Sequence, residues 1–330
     1  MNDDKPFFRV VITGDNLAPE AMKILSEKCR VVFTGPYPQP SILAQKLREE
    51  KAHALILRTG KVPAEVVKAS PDLKVIAKHG AGFDNIDVQT ATALKIPVLT
   101  ASTANFESVA EHTLGLMFSL AKDIPWLDSR MRQGFWDKTQ YRGGELYRKT
   151  LGLIGFGRIG RRVHELVAPL QMKAVVFDPF LPESGLPPMV TLVSQLDELL
   201  QAADIVSLHC PLTEQTRNLI GKRELGIMKK SAWLINTARG EVVDEEALID
   251  ALQEGKIAGA GIDTFRKEPP EDFRRLSEAG KVVLTPHIAG ATEEAFARMG
   301  IEAAQNTLTI LEGRRPAKNY VANPEIFEAE

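Results

Sequence analysis

The feature that most constrains this chain is the run from Leu151 to Gly160, Leu-Gly-Leu-Ile-Gly-Phe-Gly-Arg-Ile-Gly. An apolar strand runs into a turn with glycines at Gly155, Gly157 and Gly160, and a helix is predicted to start at about Arg158. In such a unit one glycine makes a tight turn, one leaves room for a pyrophosphate, and one lets the helix pack closely on the strand. A pyrophosphate there meets unpaired backbone N–H groups and the positive end of the helix dipole. Three glycines alone are a weak signal. Asp178 strengthens it, because it closes the next predicted strand at the spacing of about 20 residues where a carboxylate accepts hydrogen bonds from an adenosine ribose. That carboxylate would repel a 2′-phosphate, and Pro179 and Phe180 follow it where a phosphate would call for arginines, so NAD is expected over NADP.

A strand, turn and helix of this kind belong to a parallel sheet, and the rest of the chain reads accordingly. Residues Val10 to Ile12, Val31 to Phe33, Ala54 to Leu57, Val75 to Ala77 and Pro97 to Leu99 are predicted strands. Helices are predicted between them at about Pro19 to Lys28, Ser41 to Glu50, Ala64 to Ala69 and Val88 to Leu94. A longer helix is expected from Asn105 to Ala121, followed by a helical arm and loop over Trp126 to Arg148. A second series starts at Thr150, with six predicted strands at Leu151 to Ile154, Ala174 to Phe177, Ile205 to Leu208, Ala232 to Asn236, Gly259 to Ile262 and Val282 to Leu284. A last helix, Glu293 to Leu311, stops before Gly313. The chain has 330 residues, more than one hydrophobic core usually organises, so the expected fold class is α/β with two doubly wound parallel-sheet domains.

Composition narrows the partners. A formal charge of -2 leaves no basic footprint for nucleic acid. Met1 to Lys5 is acidic and Arg9 interrupts the apolar run from Phe7 to Ile12, so neither secretion nor membrane insertion is expected, and the protein reads as cytoplasmic. The two cysteines, Cys29 and Cys210, read as small core residues. The six histidines show no ligand spacing, so no metal is expected.

Three loops at the carboxyl ends of later strands, where open α/β sheets hold ligands, each offer one reactive side chain. These are Arg239 in Asn236 to Glu241, Glu268 in Asp263 to Pro270, and His287 in Thr285 to Gly290. Oxidising a secondary alcohol needs a base for the hydroxyl proton, and an imidazole suits that task near neutrality. A carboxylate on the other ring nitrogen holds the tautomer and favours the imidazolium, which serves the reverse reduction. An arginine fork binds a carboxylate through two parallel hydrogen bonds and polarises the neighbouring carbonyl. Singly, each has an ordinary surface or core explanation; the three together on successive loops read as catalytic.

With these motifs and His79 to Asp87 (His-Gly-Ala-Gly-Phe-Asp-Asn-Ile-Asp), Val242 to Leu248 and Gly261 to Phe265, the chain resembles the D-2-hydroxyacid dehydrogenase family over nearly its whole length, and is similar to its phosphoglycerate dehydrogenase branch. The resemblance implies that Arg239, Glu268 and His287 are catalytic. It implies contacts to NAD from Arg158, Ile159, Asp178, Thr237, Ala238, Asp263 and Gly290, and to the substrate carboxylate from backbone amides at Ala81 and Gly82. It further implies a Rossmann-type NAD domain, residues 105–290, inserted in a discontinuous flavodoxin-like substrate domain of residues 1–104 and 291–330. Hinges then fall near Ala101 to Asn105 and His287 to Thr292, and a homodimer is expected.

Arg58, closing the predicted strand Ala54 to Leu57, is placed like the arginine that phosphoglycerate dehydrogenases aim at the substrate phosphate. Lys78 and His79 stand where that branch often has Arg and a small residue, and no C-terminal serine-sensing domain is expected, so a glyoxylate or hydroxypyruvate reductase is the alternative. A lactate or malate dehydrogenase would carry its glycine loop near the N-terminus, a short-chain dehydrogenase would need Tyr-x-x-x-Lys, and the formate dehydrogenases pair their histidine with glutamine rather than Glu268. From a different class, the non-enzymatic C-terminal binding proteins also resemble this family and bind NAD(H), but carry an extended disordered tail.

Overall fold

Apolar alternation builds two all-parallel sheets in the computed structural model, which describes residues 7–182 and 184–328. The acidic start, Met1 to Lys5, lies outside the described residues. The chain divides into two compact units, the first running through Asn105 and resuming at Ala291, the second covering Phe106–Gly290.

In the first unit the strands are β1 (Phe8–Ile12), β2 (Cys29–Phe33), β3 (Ala54–Leu57), β4 (Val75–Lys78) and β5 (Val98–Thr100), in the order β2-β1-β3-β4-β5. This is the flavodoxin-like order. Because successive strand side chains point to opposite faces, the strands divide their residues between two cores. Val10, Ile12, Ala54, Ile56, Val75 and Ala77 pack with Ala21 and Leu25 of α1 (Pro19–Ser26). Val11, Leu55, Leu57 and Ile76 pack on the opposite face with α2 (Pro40–Glu49), α3 (Ala64–Val67) and α4 (Val88–Ala93). All of these strand residues are fully buried, as they are in sheets covered on both faces.

The second unit opens with α5 (Phe106–Lys122) and the arm helix α6 (Ile124–Arg132), which buries none of its side chains. Its strands are β6 (Thr150–Ile154), β7 (Lys173–Phe177), β8 (Val190–Leu192), β9 (Ile205–Leu208), β10 (Trp233–Asn236), β11 (Gly259–Ile262) and β12 (Val282–Leu284). The order β12-β11-β10-β9-β6-β7-β8 is that of a Rossmann sheet, reversing direction between β6 and β9. The connecting helices are α7 (Arg158–Val167), α8 (Leu196–Ala202), α9 (Lys222–Ile227), α10 (Glu245–Gln253) and α11 (Arg274–Ser277). The described residues hold seven strands here where six were expected. The extra one, β8, is three residues long, lies at the sheet edge with none of its residues buried, and is preceded by Pro187 and Pro188, so its composition resembles a loop.

The final helix, α12 (Glu293–Leu311), returns to the first unit and packs on α1 and β4. Thr292 caps it by accepting from the Ala295 N–H, Glu293 and Glu294 favour the positive dipole end, and Gly313 ends it at φ +71°.

His79, just beyond β4, is 9 % exposed, and its ring lies 5.3 Å from that of Phe296 on α12. Burial, reinforced by the nearby Arg58 charge, pushes its pKa down to about 4. The unfolded chain takes up this proton near pH 6.5, whereas the folded one refuses it until about pH 4, so stability declines as pH falls through that window. His79→Phe should make the decline of the urea midpoint between pH 7 and pH 4.5 shallower. An unchanged slope would show that the decline comes from other groups.

Candidate active site

Each glycine of the turn after β6 does separate work. Gly155 has φ +91°, and a Cβ there would lie 2.8 Å from the carbonyl carbon of His209, at the end of the adjacent β9. A Cβ on Gly160 would lie 2.4 Å from the Gly155 carbonyl oxygen, so helix and turn pack closely only with glycine. A Cβ on Gly157, the N-cap of α7, would meet nothing within 4 Å. That open position at a helix N-terminus is a cradle of the kind a pyrophosphate fills. Asp178 stands at the end of β7, where its carboxylate accepts from the N–H groups of Phe156 (2.8 Å) and Phe180 (3.0 Å). It is therefore tied into the glycine loop. Arg158 is exposed and Ile159 half-buried on the first turn of α7.

The loop after β10 is shaped by Asn236, whose side chain accepts from Ala238 N–H (3.0 Å) and donates to the Arg239 carbonyl (2.8 Å). Thr237 and Ala238 are buried, and Thr237 Oγ1 lies 3.0 Å from Thr113 Oγ1 of α5. Arg239 is half-buried, and its Nη1 donates to the Ala238 carbonyl at 2.7 Å. A Cβ on Gly240 would collide with the Phe265 backbone at 2.0 Å, so this glycine lets the Arg239 and Glu268 loops touch.

His287 Nδ1 and Glu268 Oε2 are 2.7 Å apart, while Glu268 Oε1 accepts from Phe265 N–H at 3.0 Å. Burial alone would raise the Glu268 pKa, but the His287 hydrogen bond and charge, the Phe265 N–H and the Arg239 charge outweigh it and hold the carboxyl below its ordinary value. Glu268 is thus an anion across the neutral range, and Arg239 is close enough to act on it. His287 itself has φ +53°, a left-handed conformation that a non-glycine residue keeps only where its surroundings impose it.

Asp263 imposes it. The residue is fully buried at the end of β11; its carbonyl accepts from His287 N–H (2.7 Å), and its carboxylate accepts from Thr285 Oγ1 (2.6 Å), Ile288 N–H (2.9 Å) and Ala289 N–H (2.9 Å). Asp263 was expected to touch NAD; in the fold both of its carboxylate oxygens are engaged by the loop that carries His287. Gly290 ends that loop, half-buried. His112 of α5 adds a residue that the motifs missed, with Nε2 2.9 Å from Thr285 Oγ1 and 3.5 Å from Asp263 Oδ1. The available signal was a histidine and a threonine, His112 and Thr113, interrupting the apolar face of a long helix.

In the first unit, Arg58 directly follows β3, and Ala81 and Gly82 lie in the loop after β4. Among the described residues, no acceptor takes a hydrogen bond from the Ala81 or Gly82 N–H. Arg58 Nη1 donates to Asn16 Oδ1 at 2.8 Å.

The model of the D-isomer specific 2-hydroxyacid dehydrogenase family, NAD binding domain, matches residues 114–289, which span β6 through β12 and include Arg239, Glu268 and His287. The chain belongs to this family. It is similar to a D-3-phosphoglycerate dehydrogenase of Methanocaldococcus jannaschii, 41% identical over 96% of this chain and 60% of that protein. It is equally similar to a hydroxypyruvate reductase of Thermotoga maritima, 41% identical over 89% of this chain and 96% of that protein. Among solved structures, the TT0316 protein of Thermus thermophilus superposes with a TM-score of 0.87 at 34% identity, covering 96% of this chain and 100% of that one. The chain thus spans about three fifths of the phosphoglycerate dehydrogenase it matches and nearly all of the hydroxypyruvate reductase. Among the described residues, no group of three or more His, Cys, Asp or Glu is placed to hold a metal ion, and no helix is long and apolar enough to cross a membrane.

Proposed function

We propose that the chain is an NAD-dependent oxidoreductase interconverting a D-2-hydroxy acid and its 2-keto acid. The observation that carries this reading is the 2.7 Å contact between His287 Nδ1 and Glu268, in the same unit as the open Gly157 cradle. NAD, when bound, accepts or supplies the hydride. The protein's own residues do the rest. With Nδ1 engaged by Glu268, His287 keeps Nε2 for the substrate, where it takes the hydroxyl proton in oxidation and returns it in reduction. Glu268, held as an anion, stabilises the imidazolium that forms. Arg239 offers its fork to the substrate carboxylate and fixes the reacting carbon. Binding NAD(H) alone does not require a histidine paired with a carboxylate at 2.7 Å, so a catalytic role is favoured over a pure NAD(H) sensor.

Asp178 supports NAD as the cofactor. Asp178→Ala should raise KM for NAD about tenfold and reduce the preference over NADP, read from the two kcat/KM values. A preference for NADP in the unaltered protein would contradict this assignment.

The far end of the substrate is assigned through Arg58. An arginine there suits a second anionic group, as in 3-phosphoglycerate and phosphohydroxypyruvate, and the similarity to a hydroxypyruvate reductase supports the smaller keto acid as a second reading. NADH oxidation with phosphohydroxypyruvate, hydroxypyruvate, glyoxylate and pyruvate separates the two. Phosphohydroxypyruvate should give the highest kcat/KM, and Arg58→Ala should raise its KM far more than that of glyoxylate. Equal effects on both would remove the second anion.

We also assign a homodimer built through the arm that follows α5. Trp126 is 51%, Phe135 45% and Trp136 72% exposed, a cluster of large apolar surfaces that a second copy would cover. Sedimentation at twice the monomer mass is expected. A cytoplasmic location fits the two free cysteines, Cys29 and Cys210.

A further inference from the structure

Three side chains from three elements of the first unit meet at one place. Arg58 follows β3, His79 follows β4, and Phe296 lies in the first turn of α12. The guanidinium carbon of Arg58 sits 4.8 Å from the centroid of the Phe296 ring, and the His79 ring is 5.3 Å from the same centroid at an interplanar angle of 51°. His79 is nearly fully buried, and its ring packs against that of Phe296. Arg58 Nη1 donates only to oxygens of Asn16, a neutral residue, and no carboxylate lies within ion-pair distance of Arg58 among the described residues. Burial weakens its hold on the proton, and only the more distant charge of Asp15 works against that.

A partly desolvated guanidinium without a counter-ion is costly, and it is relieved by an aromatic face or by an oxyanion. The two are compatible. A cation–π contact uses the flat face of the guanidinium, whereas an oxyanion is bound at the N–H edge. We infer that Phe296 is a specificity-determining positioning residue: it holds Arg58 by one face, with His79 fixing the ring, so that the guanidinium edge stays presented to an oxyanion at the far end of the substrate. This rests on the reading of Arg58 as the contact to a second anionic group.

The test compares kcat and KM for phosphohydroxypyruvate and glyoxylate in the full chain carrying Phe296→Leu, Phe296→Tyr, Arg58→Ala, or Arg58→Ala with Phe296→Leu. Phe296→Leu should raise KM for phosphohydroxypyruvate about three- to tenfold, the scale of one partly desolvated cation–π contact, with kcat within twofold and KM for glyoxylate changed less than twofold. Phe296→Tyr should restore the value. In the Arg58→Ala background, Phe296→Leu should add nothing. Equal effects of Phe296→Leu on both substrates, or a full additional effect without Arg58, would overturn the inference. If Arg58→Ala discriminates between the substrates and Phe296→Leu does not, this inference alone fails. If Arg58→Ala does not discriminate, the anion reading fails, and this inference with it.

Discussion

In His287→Asn, NADH oxidation with the preferred keto acid should fall by about 10²- to 10⁴-fold, the range associated with removing a general acid–base group. NADH binding, followed by fluorescence titration, should stay within about twofold. Asparagine is the informative replacement. It tolerates the left-handed backbone that His287 adopts at φ +53°, so the loop built by Asp263 and Thr285 is retained. It can still donate to Glu268, but has no group that titrates near neutrality. Turnover within tenfold of the unaltered protein would mean that another residue moves the proton. Normal NADH binding with lost turnover separates a chemical defect from a collapsed loop.

Arg239→Lys should lower kcat/KM by about 10²- to 10³-fold, although the charge is kept. The loop after β10 is shaped by Asn236 hydrogen bonds to the backbone of Ala238 and Arg239, so the substitution leaves its scaffold in place. What is lost is the planar fork that grips a carboxylate at two points. A lysine presents one point charge on a flexible stem, and the substrate carbonyl is no longer held at a fixed angle to the imidazole. A change of only a few fold, confined to KM, would assign Arg239 to general electrostatic attraction rather than orientation.

The glycine turn, Asp178 and the three strand-end loops were legible because their information is local. A turn that needs φ +91°, a helix start and a strand end lie within a few residues of one another, and the parallel α/β pattern dictates that such ends share one edge of a sheet. The short edge strand β8 was not legible, because three residues after two prolines, with none of them buried, are too few to establish a period. His112 was not legible either, since its partner Thr285 lies 173 positions away. The hydrogen bonds that Asp263 accepts from the N–H groups of Ile288 and Ala289 were not legible, because they depend on how the chain folds after β12.

The sequence by itself determined the two parallel sheets, the glycine turn and which side chains are candidates for the chemistry, since periodicity, backbone conformation and side-chain chemistry are properties of short segments. Tertiary structure alone decided that Glu268 meets His287 at 2.7 Å, that a buried aspartate holds the histidine in a left-handed conformation, and that Phe296 of the last helix lies against Arg58 near the start of the chain. Each of these joins residues from separate elements, and only packing fixes such distances.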